Sequence, residues 1–183
     1  MDFKLIDALE QYIGFDSHES SMVQELKQFL STPKNHFDRS CLEGHVTGSA
    51  WVLSPDHSKV LLTNHKKLKK WLQLGGHSDG DSNTLDVALR EAEEESGIDN
   101  IKPISTRIFD VDIHSIPERG KEPEHLHYDI NFLLEAPHEN FIISEESEDL
   151  KWFSVAEMEA IDWEESMARG LKKWKLHLKE LNS

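Results

Sequence analysis

Residues 75–100 read GGHSDGDSNTLDVALREAEEESGIDN: paired glycines, a polar loop, then a run carrying Arg90, Glu91, Glu93, Glu94 and Glu95 that stops at Gly97. At about 100° per residue, Leu85, Ala88, Leu89 and Ala92 fall at i, i+3, i+4 and i+7, so the spacing predicts a helix with one apolar stripe against a core. Glu91, Glu94 and Glu95 share another face at i, i+3 and i+4, within a side-chain length of one another. Like charges so placed repel by about 0.2–0.5 kcal/mol per pair in water. A hard divalent cation reverses the sign of that interaction, and Mg²⁺ commonly takes carboxylates, waters and a substrate's own phosphates as oxygen ligands. From the helix alone, a solvated acidic face is the competing reading.

The flanking residues separate the two. The stretch resembles the signature of the Nudix hydrolases, which runs Gly, five residues, Glu, seven residues, then Arg-Glu-aliphatic-x-Glu-Glu-x-Gly-aliphatic. Gly76, Arg90, Glu91, Glu94, Glu95, Gly97 and Ile98 match it in register. Ser82 stands where the family has its first Glu, with Asp79 and Asp81 close by; Ala92 is smaller than the usual aliphatic, and Leu74 replaces the usual Pro before the glycines. The resemblance implies an α/β (α+β) fold, a Nudix-type mixed β-sheet sandwiched between helices. Residues 43–160 would form that domain, residues 1–42 an N-terminal helical extension, and residues 161–183 a C-terminal helix packed on the domain or on a partner subunit. It also implies Glu91, Glu94 and Glu95 as ligands of Mg²⁺, with Mn²⁺ as a substitute. Arg90, four residues before Glu94, is placed to pair with it and fix its rotamer.

Composition is compatible with this. A chain of 183 residues suits one domain with an extension. The formal net charge of −15 disfavours a nucleic-acid backbone or an anionic membrane as the main partner. A phosphorylated small molecule stays open, because a bound metal supplies positive charge locally. The start, MDFKLIDALEQY, lacks a signal peptide's basic head and apolar core, so a soluble, cytoplasmic protein is expected. Cys41 is the only cysteine, which leaves no intrachain disulfide and no cysteine metal cage.

Along the chain, Phe3, Ile6, Leu9 and Ile13, then Met22, Val23, Leu26, Phe29 and Leu30, predict two helices suited to packing, homodimer contact or capping of a substrate. Residues 45–53 and 59–63 predict strands that pair as a hairpin across Ser54-Pro55-Asp56-His57. Residues 71–74 lead as a strand into the glycines, and Ser82, Asn83 or Thr84 caps the helix that follows. Asp79, Asp81 and Asn83 alternate as in a calcium loop, but Thr84 and Arg90 occupy its required Gly and Glu positions. Strands are expected over 104–116 and 125–134, pairing across residues 117–124. Met167, Leu171, Trp174, Leu178 and Leu181 mark the apolar side of a last helix.

For the substrate, Gly76, His77, Lys67 and His127 are the binding candidates; Lys67 lies in the basic segment 64–70, which could hold phosphates. His125 and His127 sit on one strand face with His114 a candidate opposite; such a pair can bind zinc, but no third ligand is evident, and substrate contact is the preferred reading. The resemblance places the general base among the late acids Glu145, Glu146 and Glu148, with Glu146 chosen. Together these imply hydrolysis of the diphosphate linkage of a nucleoside diphosphate derivative: a nucleotide sugar, ADP-ribose, a dinucleoside polyphosphate or a (d)NTP. The alternatives are a non-catalytic Nudix-like nucleotide-binding module and an enzyme like isopentenyl-diphosphate isomerase, for which Cys41 is poorly placed.

Overall fold

The computed structural model describes residues 3–32, 34–66, 68–118, 120, 123–144, 147–181 and 183. Its helices are α1 (Leu5–Gln11), α2 (Ser17–Leu30), α3 (Thr84–Ser96), α4 (Val155–Glu159) and α5 (Glu165–Leu181). Its strands are β1 (Gly44–Leu53), β2 (Lys59–His65), β3 (Lys70–Leu72), β4 (Leu74–His77), β5 (Lys102–Ile116), β6 (His125–Glu135) and β7 (Ser147–Ser154). They form a seven-stranded sheet in the order β3-β2-β1-β6-β5, with β4 added to β1 and β7 to β2. The expected hairpin is present, β1 and β2 pairing antiparallel with Val52 opposite Leu61. The strand expected over 71–74 is instead two, β3 and β4, broken at Gln73.

All ten residues of β1 are buried. Its alternation therefore does not choose an inward face, because a sheet covered on both sides has no solvent face to reward polar residues.

Two compact units emerge from the backbone contacts, the first made of residues 1–49, 75–88 and 106–132, the second of 50–74, 89–105 and 133–183. In the first, Asp16 caps α2 by accepting from Glu19 N at 2.8 Å. Glu19 is itself fully buried and ties the helical pair to β5: Oε1 accepts from Tyr12 Oη at 2.5 Å and from Val111 N at 2.9 Å, and Oε2 from Phe15 N at 2.6 Å. A buried carboxylate is tolerable only when so satisfied. Phe29 of α2 stacks on Tyr128 of β6 with ring centres 4.1 Å apart. Ile6 and Ile13, expected in the apolar stripe of the first helix, are exposed, and Leu5 and Leu9 carry its burial.

In the second unit β7 lies antiparallel to β2, Val60 opposite Phe153. Ser154 and Glu157 close a capping box that starts α4. The last helix packs through Trp174, fully buried, whose Nε1 donates to His57 O at 3.1 Å. One turn earlier Gly170 meets the indole of Trp51 so closely that a Cβ there would lie 2.2 Å from Cζ2.

Candidate active site

Gly75, the first of the glycine pair, acts through close approach. A Cβ on Gly75 would lie 2.2 Å from Ser49 Oγ and 2.7 Å from Ser49 Cα, so any side chain there would push β4 off β1. The loop then turns through Asp79 and Gly80, both at positive φ. Arg39 holds Asp79 in a fork, Nε to Oδ1 at 2.6 Å and Nη2 to Oδ2 at 2.9 Å. Asp81 Oδ1 accepts from Asn83 N at 2.9 Å, which makes both aspartates parts of the loop's own scaffold. Of the three capping candidates Asn83 is the N-cap: its carbonyl accepts from Val87 N at 3.1 Å, and its side chain exchanges hydrogen bonds with Asp86.

From there α3 runs unbroken through Glu91, Glu94 and Glu95, so the i, i+3, i+4 spacing of their side chains is realised. Leu85, Ala88 and Ala92 are buried as expected; Leu89 is half-buried, and Val87 joins the core in its place. The carboxylates differ in exposure, with Glu94 open to solvent, Glu91 half-buried and Glu95 buried. Arg90 donates from Nη2 to Glu91 Oε1 at 3.0 Å, an ion pair with its chain neighbour in place of the expected pair with Glu94. Glu93 faces another way and accepts from Ile101 N at 3.2 Å. The helix ends on Gly97, at φ 64° with its N–H to Glu93 O at 2.8 Å; a Cβ there would crowd Ile142 at 3.0 Å.

Three oxygen donors of graded exposure on one rigid helix suit a hard divalent ion. Glu146 and Lys67 lie outside the described residues. Among the described residues, Glu148 is ion-paired with Lys69, and Lys70 with Glu164, which commits two cations of the basic segment to acidic partners.

The remaining candidates stand on the other strands. His77 ends β4, and His127 lies on β6. Burial, then His77, His114, His45 and His125, hold His127 down to about 2, so its ring is neutral at working pH. Beside it runs a polar row that the sequence reading missed. Thr47 and Ser49 on β1 each donate to Asp129 Oδ1 at 2.7 Å, and Asn131 Nδ2 donates to Oδ2 at 2.9 Å. Its signal is the period of two in His45, Thr47, Ser49 and in His127, Asp129, Asn131, which aligns each set on one strand face.

Comparison with known proteins identifies the family and the fold. The NUDIX domain family model matches residues 44–174. A relative in Lactococcus lactis subsp. cremoris (strain MG1363), described as a probable DHNTP pyrophosphohydrolase, is 31% identical over 137 residues, 74% of this chain and 80% of the relative. A NUDIX-family hydrolase from Clostridium perfringens superposes with a TM-score of 0.50 at 25% identity, covering 72% of this chain and 97% of its own. The E. coli dihydroneopterin triphosphate pyrophosphohydrolase shares the fold at a TM-score of 0.51 and 17% identity, over 69% of this chain and 92% of its own.

Proposed function

The chain belongs to the Nudix hydrolase family, and from that membership we propose that it is a Mg²⁺-dependent pyrophosphohydrolase cleaving the diphosphate linkage of a nucleoside diphosphate derivative. The observation that carries the proposal is α3, a continuous helix that keeps Glu91, Glu94 and Glu95 in the family's register between the close approach at Gly75 and the Gly97 stop. Family members generally use a divalent metal ion, and the donor set fits one, since all three side chains offer oxygen. Bound there, Mg²⁺ would neutralise the diphosphate and activate water toward phosphorus.

The chain's own residues do the rest. Glu91, Glu94 and Glu95 hold the ion, and Arg90 positions Glu91 through its 3.0 Å ion pair. Gly76, His77 and His127 are assigned to the substrate, His127 as a neutral hydrogen-bonding group, and Lys67 as a cation contributed by sequence position. Glu146 is assigned the proton of the attacking water. The products are a nucleoside monophosphate and a phosphorylated fragment, or pyrophosphate where the substrate is a triphosphate. Residues 43–160 act as the catalytic domain of a cytoplasmic protein, with residues 1–42 and 161–183 as candidate homodimer surfaces.

Within this class the first substrate to test is DHNTP, because the Lactococcus relative is described by it. Hydrolysis with Mg²⁺ should be measured over DHNTP, (d)NTPs, ADP-ribose, nucleotide sugars and dinucleoside polyphosphates, as pyrophosphate release from the triphosphates and, for the others, as phosphate freed by added alkaline phosphatase from the monoester products. Turnover of one class well above the others supports the proposal; no release from any overturns it in favour of a binding module.

A further inference from the structure

Seven of the eleven histidines belong to the first compact unit, and five of these, His45, His77, His114, His125 and His127, cluster within it. The ring centres of His45 and His127 lie 4.7 Å apart, those of His77 and His127 5.0 Å, and those of His45 and His77 5.1 Å. One ring nitrogen from each of these three lies within 4.8 Å of the other two. They come from three paired strands, β1, β4 and β6, and are far apart in sequence, so the fold and not local chain geometry assembles them.

Tetrahedral coordination at about 2.0–2.1 Å per bond puts ligand nitrogens about 3.3 Å apart. His125 Nε2 and His127 Nε2 already stand at 3.3 Å. His125 Nδ1 lies 2.9 Å from Pro123 O, to which it can only donate, and that bond leaves Nε2 as the lone-pair nitrogen facing the cluster. His114, with its ring centre 5.5 Å from that of His127, pairs through Nδ1 with Asp112 Oδ2 at 3.2 Å. Outer carbonyl and carboxylate partners of this kind fix the tautomer of metal-binding imidazoles. Neutral imidazole suits zinc and neighbouring transition ions, whereas the oxygen-only face of α3 suits Mg²⁺. The zinc pair suggested by His125 and His127 thus acquires, from β1 and β4, the partners that sequence spacing could not supply.

We propose that His45, His77 and His127, with His125 as the fourth donor, form a Zn²⁺ site that ties β4, β1 and β6 together. The site is structural; it takes the rings of His77 and His127, which the hydrolytic reading gives to the substrate, but Zn²⁺ binding itself is read without reference to hydrolysis.

The full chain, stripped with chelator and dialysed, should be titrated with Zn²⁺ and with Co²⁺ in the presence of saturating Mg²⁺. The wild type is expected to bind one Zn²⁺ tightly, to melt at higher temperature when loaded, and to give the intense visible bands of tetrahedral Co²⁺, displaced by Zn²⁺. His77→Gln and His127→Gln, each checked by circular dichroism, should weaken Zn²⁺ by more than the roughly 10–100-fold that loss of an outer partner costs. Glu94→Gln with Glu95→Gln should bind Zn²⁺ as the wild type does, which separates this site from the carboxylate helix. X-ray absorption on loaded wild type provides a reading free of any variant and should show imidazole scattering. No tight Zn²⁺ in the wild type, an oxygen-only shell, or unchanged affinity in both histidine variants would overturn the proposal.

Discussion

Arg90 and Glu91, adjacent on α3, form an ion pair of 3.0 Å in which the guanidinium is more exposed than the carboxylate it holds. The pair matters because Glu91 is a proposed metal ligand and its rotamer decides where its oxygens lie. Lysine's ammonium, a point charge on a flexible stem, does not reproduce the directed Nη2 hydrogen bond to Glu91. Arg90→Lys should raise the Mg²⁺ concentration for half-maximal activity about 10-fold, while kcat at saturating metal changes less. An unchanged metal dependence would mean that the pair does not position Glu91.

Glu19 anchors the N-terminal helices through three accepted hydrogen bonds in a fully buried site. In Glu19→Ala the donors of Tyr12, Phe15 and Val111 lose that acceptor, at about 1–3 kcal/mol for each group left buried and unsatisfied. The expected loss is about 3 kcal/mol, a drop in Tm of roughly 10 °C. A change of less than a couple of degrees would show that solvent reaches the site.

Gly170 in α5 sets two effects against each other. Alanine in a helix interior gains about 1 kcal/mol over glycine, yet a Cβ here would lie 2.2 Å from Trp51 Cζ2. Overpacking a tight contact costs about 1–3 kcal/mol, so Gly170→Ala should be net destabilising and should perturb tryptophan fluorescence. A raised Tm would show that α5 can ride away from Trp51.

Legibility in the sequence followed the range of the interactions. The helix over 84–96 was readable because its stripe, cap and glycine stop are local, and β6 because its alternation is strong. Arg90 was readable as a partner for a glutamate but not for which one, since i+1 and i+4 carboxylates compete and only packing chooses. Asp129 was invisible because its donors, Thr47 and Ser49, are about 80 residues away in the chain. The gathering of His45 and His77 around His127 escaped for the same reason: strand order brings them together, and strand order is not written in any one strand.

Acid should weaken the metal-free fold earlier than carboxylates alone would. Burial lowers His36 and His177 below their ordinary 6.5, with Lys34 acting the same way on the first and His57 on the second; Phe29 O and Glu180 oppose them respectively. The unfolded chain therefore takes up protons that the folded chain refuses, so stability is full above 6.5 and falls as pH drops below it. The Tm of chelator-treated protein should decline as pH drops below ~6.5, and His177→Gln should lessen that decline. An equal decline in the variant would remove His177 from the account.

The central claim is that Glu94 and Glu95 serve hydrolysis and not the fold. The most direct measurement is kcat/KM with Mg²⁺ on the best substrate for the Glu94→Gln, Glu95→Gln double variant, alongside its circular dichroism and Tm. The prediction is a loss of at least ~10²-fold in kcat/KM with the fold intact; undiminished turnover in the folded double variant would contradict it.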